Sequence, residues 1–180
     1  MRDIRNVVRE IGILLVFGAV AAVLQAYTRE PINIPGHAWI VWMVMLTAGR
    51  FSSPFRWAGS VMGVGAGVLS SMPLLDASLP RFAVILFIIP AFLFDIVYRY
   101  ARMVHFRNIS TILTSGFILF SLALIQFSVY YAAGTKFGAV AKFGLQYVAL
   151  LYAIFGLIGG LIGMIALKVV HHRSETLTAN

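Results

Sequence analysis

Six apolar runs, separated by short segments rich in proline, glycine and arginine, leave this chain little choice of solvent. They cover residues of about 11–27, 37–49, 57–75, 81–100, 109–133 and 145–170. A bilayer core of roughly 30 Å takes about 20 apolar residues in a helix. The chain is 61% hydrophobic, with a mean hydropathy of +0.92. Soluble domains hold about 45–50% apolar residues, so there are too few polar side chains here to cover a water-facing surface. With 180 residues the chain is too long for one hairpin and too short for two transporter-sized halves. The expectation is an all-α polytopic membrane protein, a single transmembrane domain over residues 1–180 built as a compact bundle of six transmembrane helices. Its expected place is the inner (plasma) membrane of a cell, in contact with membrane lipids.

The second run is short, so it either begins earlier, near Ile32, or does not cross. Charge decides between the two. With the N-terminus inside, the inner segments hold Arg2, Arg5, Arg9, Arg50, Arg56, Arg99, Arg102, Arg107, Lys168 and Arg173. The outer segments hold Arg29, Arg81, Lys136 and Lys142. Ten against four satisfies the excess of cytoplasmic Lys and Arg seen in membrane proteins, and five spans would break the alternation. Both N- and C-termini are therefore expected in the cytoplasm. The net charge of +8 is spread in short clusters between apolar runs, which speaks for membrane topology and against a nucleic-acid partner. The first run is followed by Thr28–Arg29–Glu30–Pro31 rather than a small-residue cleavage site, so it reads as a permanent span.

The breaks have physical causes. Pro31, Pro35 and Gly36 end any helix in the first outer loop, and Pro54 marks an inner turn. Pro73 and Pro80 bracket the second outer loop, and Gly134, Gly138 and Gly144 punctuate the third. Pro90 lies inside the fourth span, where a kink is expected. The absence of cysteine excludes disulfides and thiolate chemistry.

Small residues recur every four positions in three spans: Gly18, Ala22 and Ala26; Gly59, Gly63 and Gly67; Gly156 with Gly160 and Gly159 with Gly163. Such spacing lets membrane helices approach closely. It serves packing inside the bundle or a docking face for another subunit, and the first span, being terminal, is the better candidate for docking.

Polar and aromatic residues gather toward the outer half: Gln25, Tyr27, Asn33, His37, Trp39 and Trp42, then Gln126, Tyr130 and Tyr131, then Gln146, Tyr147 and Tyr152. Trp and Tyr form anchoring belts at membrane interfaces. The glutamines are harder to explain that way, because polar groups inside a membrane are costly unless paired or facing a cavity. Aromatic walls with a few amide and imidazole groups would suit a small, flat, polar ligand. His37 could cap a helix, bind a ligand or face water, and a lone His does not make a metal site. Asp95 is the acid deep in an apolar run, and Arg99, one turn on, is its expected partner. No nucleophile elbow, zinc-binding His pair or phosphate loop is present, so neither catalytic residue, metal nor cofactor is expected.

Three features together resemble the substrate-binding S components of energy-coupling factor (ECF) vitamin transporters: Gly18-x-x-x-Ala22-x-x-x-Ala26, the loop Pro31–Ile32–Asn33–Ile34–Pro35–Gly36–His37, and the turn Arg50–Phe51–Ser52–Ser53–Pro54–Phe55–Arg56 before a glycine-rich span. The resemblance covers roughly Arg5 to Arg173 and rests on size, topology and general pattern. It implies a non-enzymatic subunit that captures a vitamin-like small molecule outside the cell. It also implies partners, a membrane coupling subunit and two cytoplasmic ATPases. By resemblance, Gly18, Ala22 and Ala26 dock the coupling subunit, and Asn33 and His37 belong to a lid or its hinge. Trp39, Trp42, Gln126, Tyr130, Tyr131, Gln146 and Tyr147 complete the expected substrate-binding set. Two other readings compete. One is a scaffold subunit with no ligand and its outer polar residues paired to each other. The other is a lipid-acting membrane enzyme using Asp95, Arg99, Arg102 and His105.

Overall fold

The computed structural model describes residues 4–28, 34–72, 80–101 and 107–178. Among them all regular structure is helical: α1 (Ile4–Thr28), α2 (Trp39–Ser52), α3 (Ala58–Ser70), α4 (Pro80–Ala101), α5 (Arg107–Ala132), α6 (Gly138–Phe143) and α7 (Leu145–Thr178). The helices begin and end where the breaking residues stand. Ser53, held extended by the proline that follows it, ends α2. Gly36, Gly134 and Gly144 take φ values of 90°, 66° and 82°, which side-chain-bearing residues rarely adopt. The last two isolate α6, a short helix in what the sequence suggested would be an irregular loop. α4 continues through Pro90.

The largest contacts among the six longer helices close a ring in the order α1, α3, α4, α5, α7, α2, and α2 also touches α3 across it. Small residues make these contacts possible. On α3, a Cβ at Gly63 would lie 2.7 Å from the Ala91 Cβ, and one at Gly67 would lie 2.9 Å from the Val84 Cα, both on α4. The reverse order of these pairs makes α3 and α4 antiparallel. Gly65 meets the Leu15 backbone, and Gly18 meets that of Met62, where α1 crosses α3. On α7, Gly156 and Gly160 face Ser115 of α5, while Gly159 and Gly163 face Met43 and Thr47 of α2. All three stripes seen in the sequence are thus used inside the bundle.

The contact pairs also set the chain's course. His37 joins the end of α1 to the start of α2, and Ser53 joins the end of α2 to Glu10 near the start of α1. Gly36 packs on Tyr152 near the start of α7, and Tyr152 reaches Gln126 near the end of α5. The chain therefore passes back and forth along the bundle. One end is marked by His37 and Tyr152, the other by Ser53 and Asp95.

Among the described residues, three helical segments are long and apolar enough to cross a membrane, Ile4–Thr28, Ile109–Ala132 and Leu145–Val169, while α2 and α3 are shorter apolar helices. Large apolar side chains such as Ile13, Val16, Val20, Phe117 and Ile165 are exposed, whereas Thr47, Thr111, Ser115 and Asp95 are buried. An apolar exterior around small and polar interior residues fits a bundle solvated by lipid.

Candidate functional site

Two polar centres lie at opposite ends of the bundle. The first is built on Asp95. Its expected partner was Arg99, but Arg99 is exposed and the carboxylate turns toward α2 and α3. Arg50 Nε lies 3.1 Å from Asp95 Oδ1, in ion-pair range though not aligned as a hydrogen bond. The Gly59 N–H donates to Oδ1 at 3.1 Å, and the Ser60 N–H and Oγ–H donate to Oδ2 at 2.6 and 2.8 Å. Gly59 and Ser60 belong to the first turn of α3, whose N–H groups have no partner within their own helix. Asp95 thus caps α3 from a neighbouring helix, where the helix dipole also favours negative charge.

Arg50 completes the centre. Its Nη1 donates to the Ser53 and Phe55 carbonyls at 3.3 and 3.2 Å, and its guanidinium stands 4.5 Å above the Tyr98 ring. Ser53 Oγ donates to Glu10 and accepts the Phe55 N–H. One contiguous set of contacts therefore ties α1, α2, α3 and α4 together. The sequence places Arg50 among the inner-segment charges and offers Arg99 as the partner of Asp95 instead. A signal for Arg50 was present: it continues the buried face of α2 that carries Trp39, Trp42, Met43 and Leu46.

The second centre holds part of the expected binding set. His37 Nδ1 is 2.6 Å from the Ile34 carbonyl oxygen, and Nε2 is 2.8 Å from that of Thr28, the last residue of α1. The ring therefore ties the turn before α2 to the end of α1. Gly36 seats this turn against the Tyr152 ring, and Tyr152 Oη donates to Gln126 Oε1 at 2.7 Å. Trp39 and Trp42 both meet Phe87 of α4, with ring centroids 5.2 and 5.0 Å apart. Trp39, Trp42, Gln126 and Tyr152 are all buried. Phe87 is an addition that its position in an unbroken apolar run gave no reason to single out.

The remaining expected residues lie elsewhere or outside the described part. Asn33, Arg102 and His105 are among the residues not described. Tyr130 stacks on Phe137 at 5.0 Å, Tyr147 leans on Phe143, and Tyr131 and Gln146 are exposed. Gly18 and Ala22 are buried, and Gly18 is covered by the Met62 backbone of α3. Gly18 and Ala22, two of the three stripe residues, are thus covered within this chain, while Ala26 is half-buried and the side of α1 carrying Ile13, Val16, Val20 and Leu24 is exposed. No three His, Asp or Glu side chains come together as metal ligands among the described residues. No family model matches this chain, and no curated protein or solved structure is significantly similar to it.

Proposed function

We propose that the chain is a membrane-embedded substrate-binding subunit of the ECF S-component kind. It captures a small vitamin-like metabolite from outside the cell, for ATP-driven uptake with a coupling subunit and two cytoplasmic ATPases. The observation that carries this reading is the convergence at the His37 end. There the turn at Gly36 and His37 rests on α7, the adjoining Trp39 rests on α4, and α5 contributes Gln126. A binding end formed by the first connection and the last three long helices is what such a subunit needs.

In this reading the six longer helices cross the plasma membrane, with the His37 end outside and both termini inside. The basic residues Arg9 and Arg56 flank the Asp95 end, and Arg56 lies 5.5 Å from the ring centroid of Trp57, an arrangement suited to the inner interface. α2 and α3, with 14 and 13 residues, are shorter than the bilayer core and rely on their flanking turns and neighbours to complete the crossing.

The test is a thermal-shift screen of the detergent-purified protein against water-soluble vitamins, their precursors and related metabolites. A ligand at a hundredfold excess over its Kd stabilises by about 2.7 kcal/mol. A shift with one compound, lost in His37→Ala, supports the reading. No shift across the panel favours a scaffold subunit without ligand. That second reading has an observation of its own, since Gln126 and Tyr152 already satisfy each other.

A further inference from the structure

The donor and acceptor inventory of the interior leads to the chemical class of the ligand, an inference that rests on the binding-subunit reading. Trp42 is wholly buried, and its indole N–H meets no acceptor among the described residues. Native interiors rarely leave such a donor unpaired, because its hydration is lost with nothing in return. The Thr47 hydroxyl is also unpaired, but it sits on the α7 side against Gly163, whereas Trp42 faces the aromatic residues of the binding end. The Phe87 ring meets Trp42 edge-on at 87° and Trp39 at 45°. Flat rings pack well among faces and edges disposed this way.

Charge narrows the class further. Arg50 and Asp95 are the buried charged side chains among the described residues, and they are paired to each other at the opposite end. His37, Lys136 and Lys142 at the binding end are not buried, so a charged group entering beside Trp42 would lose its hydration with no buried counter-charge to replace it. We propose that the ligand is an uncharged, planar heteroaromatic molecule, and that Trp42 Nε1–H donates to a ring nitrogen or carbonyl oxygen on its edge. Trp39 lies one helical turn nearer the end of the bundle and both rings are buried, so admitting the ligand to Trp42 requires Trp39 to move.

The experiment uses matched probes with the 180-residue chain in detergent: nicotinamide, pyrazinamide and lumichrome as neutral planar compounds, with nicotinate, pyrazinoate and the pyridinium 1-methylnicotinamide as charged counterparts. Melting temperature and calorimetric Kd are read for the native chain, for Trp42→Phe, and for 3-benzothienylalanine at position 42, which keeps the bicyclic shape and lacks the N–H. The expected result is stabilisation confined to the neutral set, with a Kd weakened about fivefold to tenfold by the bicyclic replacement, as for one lost hydrogen bond. The benzothienyl variant reports even if Trp42→Phe fails to fold. Tighter binding of a charged probe, or a Kd unchanged by loss of the N–H, overturns the assignment. No stabilisation by any neutral probe overturns the ligand class alone, and the binding-subunit reading is then decided by the wider vitamin screen.

Discussion

Arg50 Nε and Asp95 Oδ1 stand 3.1 Å apart, a buried ion pair that joins the last turn of α2 to α4 while the same carboxylate caps α3. Removing one partner of such a pair strands a buried charge. Asp95→Ala is expected to destabilise by about 3–5 kcal/mol, because it also strips the first turn of α3 of its acceptor. Arg99→Ala, at an exposed position, is expected to change stability by less than about 0.5 kcal/mol. Thermal melts of the two variants in detergent separate these outcomes. Equal effects would mean that Arg99, rather than Arg50, holds the carboxylate.

The crossing of α1 on α3 makes a second prediction. Gly18 faces the Met62 backbone with no room for a Cβ, whereas a Cβ at Gly12 would meet nothing within 4 Å. Gly18→Val must push the two helices apart and is expected to cost about 1–3 kcal/mol, the range for overpacking, with a matching fall in melting temperature. Gly12→Val on the same helix is expected to leave it nearly unchanged. If Gly18→Val melted like Gly12→Val, α1 would not be packed through this stripe.

The apolar runs, their prolines and their glycines carried much of the helix order, because helix breaking and apolar burial are local properties of the chain. Ser53 ends α2 for the reason Pro54 suggested, and the stripe at Gly59, Gly63 and Gly67 packs a neighbouring helix at the spacing that proposed it. Partner choice was less legible. Sequence spacing pairs Asp95 with Arg99, one turn away on its own helix, but a side chain on a helix face can be met as easily from another helix. The choice between Arg99 and Arg50 depends on how α2 and α4 pack. Trp42 lay within reach of residue-type reasoning, whereas its contact with Phe87 is a product of tertiary packing. α6 has no sequence signal because a helix of six residues is too short to give a readable period.

The His37 end offers a third test. Gly36 has a φ of 90°, and a Cβ there would lie 2.6 Å from the Tyr152 ring. Gly36→Ala therefore strains the backbone by roughly 1–2 kcal/mol and also displaces Tyr152 from Gln126. Tyr152→Phe keeps the ring and removes the hydroxyl, leaving the buried Gln126 oxygen without that donor, a loss of about 1–3 kcal/mol. Both variants are expected to melt lower than the native chain. Gly36→Ala should also speed amide hydrogen exchange over residues 34–40, while Tyr152→Phe should leave that exchange close to native. Unchanged exchange in Gly36→Ala would show that the turn is not held by Tyr152.

The absence of cysteine makes the topology directly measurable, since any introduced thiol is the only one present. Thr135 lies in the exposed connection between α5 and α6, at the His37 end of the bundle, and Arg56 lies in the turn between α2 and α3, at the Asp95 end. If all six longer helices cross, Thr135→Cys reacts with a membrane-impermeant maleimide on intact cells, and Arg56→Cys reacts only after the membrane is opened. The second site carries the weight, because α2 is the shortest expected crossing in the sequence and its turn is basic, as an inner turn should be. Labelling of Arg56→Cys from outside would mean that α2 and α3 enter and leave on the same face. That would remove the alternation on which the outward placement of His37, Trp39 and Gln126 depends.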